Sequence, residues 1–337
     1  MNFEEVLSLD HLPNSTIRYL KENEYAFSLP REQYTSFYAG RQLRKSTITS
    51  IIAESMGQFT FGYLRYLFAA LKGIDKLKAL SALKSSKFGK NAIVLGNGPS
   101  LGYMTSDKLR KFREVGGDVF SVNFWSSTHL RDIAPSHLVI SDGVTLADPN
   151  SDFGILLSDE YKKKNSVLAS FLRVNNQVNI LCPLGRVKDL ERQFEARRII
   201  GFVDHEMRAI SSNIDPRFPR GYVSMTLFKT LALAIYFGYE KIFVLGMDNT
   251  FPRDTYCDNK NKVCRLERHA GGSDYLFDQS VVYPTMAILA QDLMDLFSDL
   301  HRCFSGYDVT NLDPFSLTDV FLKVDSLSEI DSALGLV

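Results

Sequence analysis

Residues 92–100 read Ala92-Ile93-Val94-Leu95-Gly96-Asn97-Gly98-Pro99-Ser100, and the way this stretch folds decides the rest. Ile93, Val94 and Leu95 form a short apolar run, the mark of a strand buried on both faces. The run stops at Gly96-Asn97-Gly98, where glycine lets a ligand come close to the main chain. Pro99 fixes its own φ and suits the first position of a helix, while Ser100 offers a hydroxyl to a phosphate or a cap. A strand, a glycine turn and a helix start together make an anion site, because unpaired N–H groups and the helix dipole both favour negative charge. The spacing departs from the ordinary dinucleotide fingerprint, since Leu101 stands at the third glycine position and Gly102 follows it. A plain tight turn is the competing reading, and this stretch alone leaves both open.

Outward from it, the pattern alternates between strand and helix. A helix is predicted over Lys108 to Glu114, and strands over Asp118 to Asn123, His137 to Ser141 and Asn179 to Cys182. A helix over Val223 to Phe237 follows, with Gly238 as its C-cap, then a buried strand over Lys241 to Gly246. A long helix is expected over Val281 to Phe304 and a last strand over Tyr307 to Leu312. This order implies an α/β, Rossmann-like fold: a mainly parallel sheet with helices on both faces. Ligands in such sheets sit beyond the carboxyl ends of the strands. Asn97, Ser100, Asn123, Asp142 and Asp248 all fall at that edge, which makes a polar pocket there the leading expectation. Asn and Asp also favour turns, so each one alone has a bland reading.

The segment from Thr250 to Ser273 is polar and long for a connection, which suggests an irregular active-site lid. Residues 1–88 read as a helical N-terminal extension, and residues 89–325 as the nucleotide-binding domain that carries the lid. Tyr19 to Glu24 and Arg41 to Met56 have helical spacing. Phe59 to Ile74 is the most apolar part, too short to span a bilayer and interrupted by Arg65 and Lys72. It is either a helix packed on the main domain or an interfacial, partner-binding helix with Lys72, Lys76, Lys78, Lys84 and Lys87 beside it.

The 39 basic and 39 acidic side chains balance, so nothing points to nucleic acid or another polyanion. Cys182, Cys257, Cys264 and Cys303 show no zinc spacing. Reduced thiols and a cytoplasmic location are the expectation, with a local Cys257–Cys264 disulfide as the alternative. Glu4 and Glu5 precede any apolar run, which is not how a signal peptide opens. The residues 204–206, Asp204-His205-Glu206, read as a solvated face, and Trp125 as core or pocket wall. Histidines 11, 129, 137, 205 and 301 have no ligand spacing and are expected to be structural.

Three stretches carry a family resemblance: Gly96-Asn97-Gly98-Pro99-Ser100-Leu101, Val122-Asn123, and Gly238-Tyr239-Glu240-Lys241-Ile242-Phe243-Val244-Leu245-Gly246-Met247-Asp248. They resemble the signatures of bacterial CMP-sialic acid-dependent sialyltransferases of the lipooligosaccharide type. The related 6-hydroxymethylpterin diphosphokinase-like proteins share them. Val309-Thr310-Asn311-Leu312-Asp313-Pro314-Phe315-Ser316 is similar to the end of that domain. The resemblance covers roughly residues 91–320 and leaves the prefix outside.

The resemblance implies a glycosyltransferase of cell-surface glycan (lipopolysaccharide) synthesis that takes a CMP-linked acidic sugar and a glycan acceptor. No metal is required in that family; pyrophosphate transfer from ATP, the alternative, would need Mg²⁺ on Asp142 and Asp248. A non-catalytic nucleotide-binding protein is the third reading. By matching position, Gly96, Asn97, Gly98 and Ser100 meet the donor's phosphate and ribose, and Asn123 meets the nucleotide. Ser141, Asp142, Ser224, Thr226, Gly246 and Asp248 complete that lining. Arg220 matches a basic residue near the donor phosphate or carboxylate. Of two family tyrosines that assist the leaving phosphate, the first position here is Thr250 and the second is Tyr256. His269 stands nearest the family's general base. Arg253 is a further phosphate candidate. The prefix could serve peripheral contact with the inner face of the membrane, subunit contact or acceptor binding, and an oligomer remains open.

Overall fold

The computed structural model describes residues 63–84, 90–147, 159–194, 199–208, 211–249, 255–257, 263–271, 275–283 and 286–336, with Met56 and Thr60. The predicted helix over Tyr19 to Glu24 lies outside the described residues, and so does that over Arg41 to Met56 apart from Met56 itself. Thr250 and Arg253 lie outside them too. The chain divides into two compact units: one of residues 46–249, 270–276 and 296–337, the other of residues 1–45, 250–269 and 277–295.

The first unit is built on an eight-stranded sheet. In chain order its elements are α1 (Tyr63–Lys72), α2 (Ile74–Lys84), β1 (Asn91–Leu95), α3 (Ser106–Glu114), β2 (Asp118–Val122), β3 (His137–Val139), α4 (Asp159–Val174), β4 (Asn179–Pro183), α5 (Val187–Gln193), β5 (Ile199–Phe202), α6 (Thr226–Phe237) and β6 (Lys241–Leu245). After the strands β7 (Thr255–Cys257), β8 (Val263–Gly271) and β9 (Tyr275–Tyr283) come α7 (Met286–Phe304), β10 (Val309–Asn311), β11 (Leu322–Lys323) and α8 (Ile330–Ala333). The sheet order is β11-β10-β6-β1-β2-β3-β4-β5, and every pair in it is parallel. This is the expected α/β, Rossmann-like fold.

The apolar runs explain it. Ile93 and Leu95 of β1 join Leu109 and Phe112 of α3 and Leu168 and Leu172 of α4 in one core. Ala92 and Val94 alternate to the other face, where α6 lies across β1, β2 and β3. Phe120 of β2 meets Phe237 of α6 there, ring centroids 6.0 Å apart. Ten of the twelve α6 residues are buried, so it is apolar nearly all round and has no wet face. Gly238 ends it in the left-handed conformation, φ +78°. Trp125 is core, its indole N–H donating to the Ile133 carbonyl.

Three expectations are corrected. Residues 255–257 and 263–271 are strands of a three-stranded sheet, order β7-β8-β9 with β7 and β8 antiparallel, rather than irregular chain. Their polar side chains hid them, because no apolar alternation marks a ribbon of this kind. Val281 to Tyr283 belongs to β9, so the long helix starts at Met286. The predicted helix from Val223 starts at Thr226. Five elements of the first unit escaped the sequence reading altogether: α4, α5, β11, α8, and β5, whose four residues include Gly201.

Cys182, Cys257 and Cys303 are free thiols. Among the described residues no helix is long and apolar enough to cross a membrane, and no cluster of three His, Cys, Asp or Glu could hold a metal ion.

Candidate functional site

The strand order places the site. From β1 the chain builds outward to β5, then returns through α6 to β6 on the other side of β1. The turns after β1 and β6 therefore flank the switch point, where ligands of open α/β sheets bind.

Those two turns are locked together. Gly96 N–H donates to the Leu245 carbonyl (2.8 Å) and Gly98 N–H to the Gly246 carbonyl (3.1 Å). Gly246 has φ +76°, and a Cβ there would stand 2.4 Å from the Gly96 carbonyl oxygen. A Cβ on Gly98 would stand 1.8 Å from Asp248 Oδ2. Both glycines are needed for close approach, as the turn reading requires.

Ser100 and Asp248 meet there, but as partners of each other's loops. Ser100 N–H donates to Asp248 Oδ1 (3.0 Å), and Ser100 Oγ accepts from Gly246 N–H (2.9 Å). Pro99–Tyr103 is a 3₁₀ turn, and the α-helix begins only at Ser106. A carboxylate of the chain thus fills the place at the turn's start that was expected for phosphate; it satisfies the same N–H group and the same dipole. Asp248 Oδ2 has no donor, and it faces the carboxyl of Asp313. Burial first, and then Asp313, push the Asp248 carboxyl up to about 7.

Asp313 is a residue that the strand-end rule could have found. Asn311 ends β10, Asp313, Ser316 and Thr318 follow it, and all four are buried. They hold the β6 exit: Ser316 Oγ (2.7 Å) and Thr318 Oγ1 (3.1 Å) both donate to the Met247 carbonyl. The signal was the polar run at the end of the last strand.

The second group of predicted residues forms a separate cluster at the ends of β2 and β3. Asn123 adopts φ +41°, which Asn tolerates better than most residues. Its Nδ2 donates to Thr226 Oγ1 (3.1 Å), and its Oδ1 accepts long bonds from the N–H groups of Ser141 and Asp142 (both 3.4 Å). Ser141 Oγ and Thr226 Oγ1 share a hydrogen bond of 2.8 Å. Thr226 is the first residue of α6. Met225, at the N-cap, has no capping side chain, so the first-turn N–H groups point toward this cluster without a side-chain acceptor. The Gly96 turn borders it: a Cβ on Gly96 would touch Leu227 of that first turn at 3.0 Å. Asn97 is half-buried and has no hydrogen-bond partner among the described residues. This cluster offers neutral donors, acceptors and a helix N-terminus at one place, the equipment for a phosphate or carboxylate beside a ribose.

The remaining predicted residues lie elsewhere. Asp142 is exposed and its Oδ1 accepts from Val144 N–H (3.2 Å), an ordinary Asx turn. Ser224 is exposed ahead of α6. Arg220 is buried in an ion cluster: its Nε meets Asp204 Oδ1 (2.8 Å) and its Nη1 meets Glu206 Oε2 (2.9 Å), while Lys229 Nζ holds Asp204 Oδ2 (2.6 Å). Its guanidinium is committed to these carboxylates rather than presented to a donor. The same cluster overturns the solvated reading of residues 204–206, since Asp204 and Glu206, two apart in extended chain, project to one side. Tyr256 lies on β7 and His269 on β8; their side chains are outside the described residues.

No protein-family model and no curated protein matches the chain. Among solved structures it is similar to the structure of MAf glycosyltransferase from Magnetospirillum magneticum AMB-1, with 13% identity and a TM-score of 0.40. The match covers 72% of this chain and 34% of that one, so the chain spans about a third of that protein's length.

Proposed function

We propose that the protein is a glycosyltransferase that takes a nucleotide-activated sugar, with a CMP-linked acidic sugar as the donor. The observation that carries the reading is the meeting of Asn123, Ser141 and Thr226 at the uncapped start of α6, beside the Gly96–Gly98 turn. The helix N-terminus suits the donor's phosphate or sugar carboxylate. Asn123 and Asn97 offer amides to the ribose and base. In this reading the acceptor hydroxyl gives its proton to His269, imidazole being the side chain whose ordinary pKa lies nearest neutrality. The acceptor oxygen then bonds the anomeric carbon, the bond from that carbon to the phosphate oxygen breaks with inversion, and CMP leaves with the electron pair. Tyr256 steadies the departing phosphate. The roles of His269 and Tyr256 come from the family resemblance.

Pyrophosphate transfer from ATP has less support. Its two magnesium candidates, Asp142 and Asp248, follow β3 and β6, which are three strand spacings apart in the sheet, about 14 Å.

Thermal shift with CMP, CTP and ATP, with and without Mg²⁺, tests the reading. CMP should raise the melting temperature without metal, and Thr226→Val together with Asn123→Ala should abolish the rise. A rise with ATP and Mg²⁺ alone would replace the donor assignment. A His269→Ala variant with full transfer activity would remove that residue from the chemistry.

A further inference from the structure

Helix α1 turns a large apolar stripe to solvent. Leu64, Leu67, Phe68 and Leu71 recur at the spacing of one helix face. Leu64 is 63%, Phe68 64% and Leu71 71% exposed, and Ile74, which opens α2, is 50% exposed. The other side of α1 is already used: Tyr66 is buried against Phe218, ring centroids 6.3 Å apart. Contiguous apolar side chains left in water mark a surface that meets something.

The charge around the stripe says what. The sequence from residue 63 to residue 87 holds Arg65, Lys72, Lys76, Lys78, Lys84 and Lys87 against a single acid, Asp75; Lys76 pairs with Glu191 and Lys84 lies over the Tyr236 ring, while Lys72 and Lys78 stand exposed. Lys72 Nζ lies 4.7 Å from the centroid of the Phe68 ring, at the stripe itself. Lys78 is exposed on the next helix. Acidic residues are missing from α1 altogether. A short helix with leucines and aromatics on one face and lysines at its border matches the boundary between acyl chains and anionic headgroups. Ten residues cannot cross a bilayer, so the helix would lie in the interface plane.

We propose that α1 and the start of α2 dock this protein on an anionic lipid surface, with Leu64, Phe68 and Leu71 in the acyl boundary and Lys72 and Lys78 among the headgroups. The surface shares no residue with the candidate site, so the proposal stands or falls apart from the glycosyltransferase reading.

Co-sedimentation of the full chain with vesicles tests it. Binding to vesicles of phosphatidylglycerol and phosphatidylcholine is expected, with weak binding to pure phosphatidylcholine and loss at high salt. The variant Leu64→Ser/Phe68→Ser/Leu71→Ser should bind about tenfold more weakly or worse, and Lys72→Glu/Lys78→Glu should lose the preference for the anionic lipid. The exposed positions should leave the melting temperature and the CMP response unchanged. Three results would overturn the proposal: no binding to the anionic vesicles, undiminished binding by the triple serine variant, or a solution dimer that the triple variant dissolves while vesicles are ignored.

Discussion

Replacing Asp248 by asparagine should make the protein more stable at pH 8 and flatten its response to pH. Asp248 is 7% exposed and Asp313 2%. One oxygen of Asp248 accepts from Ser100 N–H, and the other has no donor. Burial and the neighbouring Asp313 carboxyl raise Asp248 from its ordinary 3.8 to about 7 in the folded chain. Between these values the folded state holds a proton that the unfolded chain has released. Stability is therefore greatest below about pH 4 for this group, and it falls as pH rises toward 7. Each pH unit in that window costs about 1.4 kcal/mol, so going from pH 5 to pH 8 costs about 3 kcal/mol. In Asp248→Asn the amide can donate to Asp313 and no proton is needed, so this loss disappears. Asp313→Asn should lessen the loss, because it removes the neighbouring carboxyl that adds to burial in raising Asp248. Urea unfolding at pH 5, 6, 7 and 8 on the three proteins measures it. If the wild type and both variants run parallel to within about 0.5 kcal/mol, burial does not hold a proton on Asp248.

Two further outcomes are expected beside the ligand, base and vesicle tests above. Gly98→Ala sets a methyl group against Asp248 Oδ2 and the Gly246 carbonyl, so it should cost about 2–4 kcal/mol in urea unfolding. Asp248→Ala in the same chain should recover part of that loss, since it removes the nearer clash. Arg220→Met leaves Asp204 and Glu206 short of a cation in a buried cluster and should cost about 3 kcal/mol. The surviving folded protein should bind CMP with wild-type affinity, because the guanidinium serves the ion cluster; a selective loss of CMP binding would return Arg220 to the donor site.

The layered fold was legible in the chain because its signals are local. Ile93 to Leu95, Val119 to Val122 and Ile242 to Leu245 are apolar runs bounded by turn residues, and a strand buried on both faces needs nothing more to declare itself. Gly238 announced the end of α6 by its residue type. β5 and the β7–β9 strands were missed: a glycine interrupts β5, β7 and β8 are largely polar, and the apolar end of β9, Val281 to Tyr283, reads as the start of a helix. The position of Asn123 at a strand end was also readable, because the rule that places ligands there concerns topology, whereas Ser141 and Thr226 entered through the family resemblance.

Partnership was beyond the sequence. Ser100 and Asp248 stand 148 residues apart, and only the strand order that sets β6 beside β1 makes them a tie between the two loops. Arg220 looks the same in the sequence whether it meets a phosphate or Asp204, and the fold sets it against Asp204. Residue type and spacing determine what a segment can form, while the long-range packing of the sheet determines which polar groups remain for anything else.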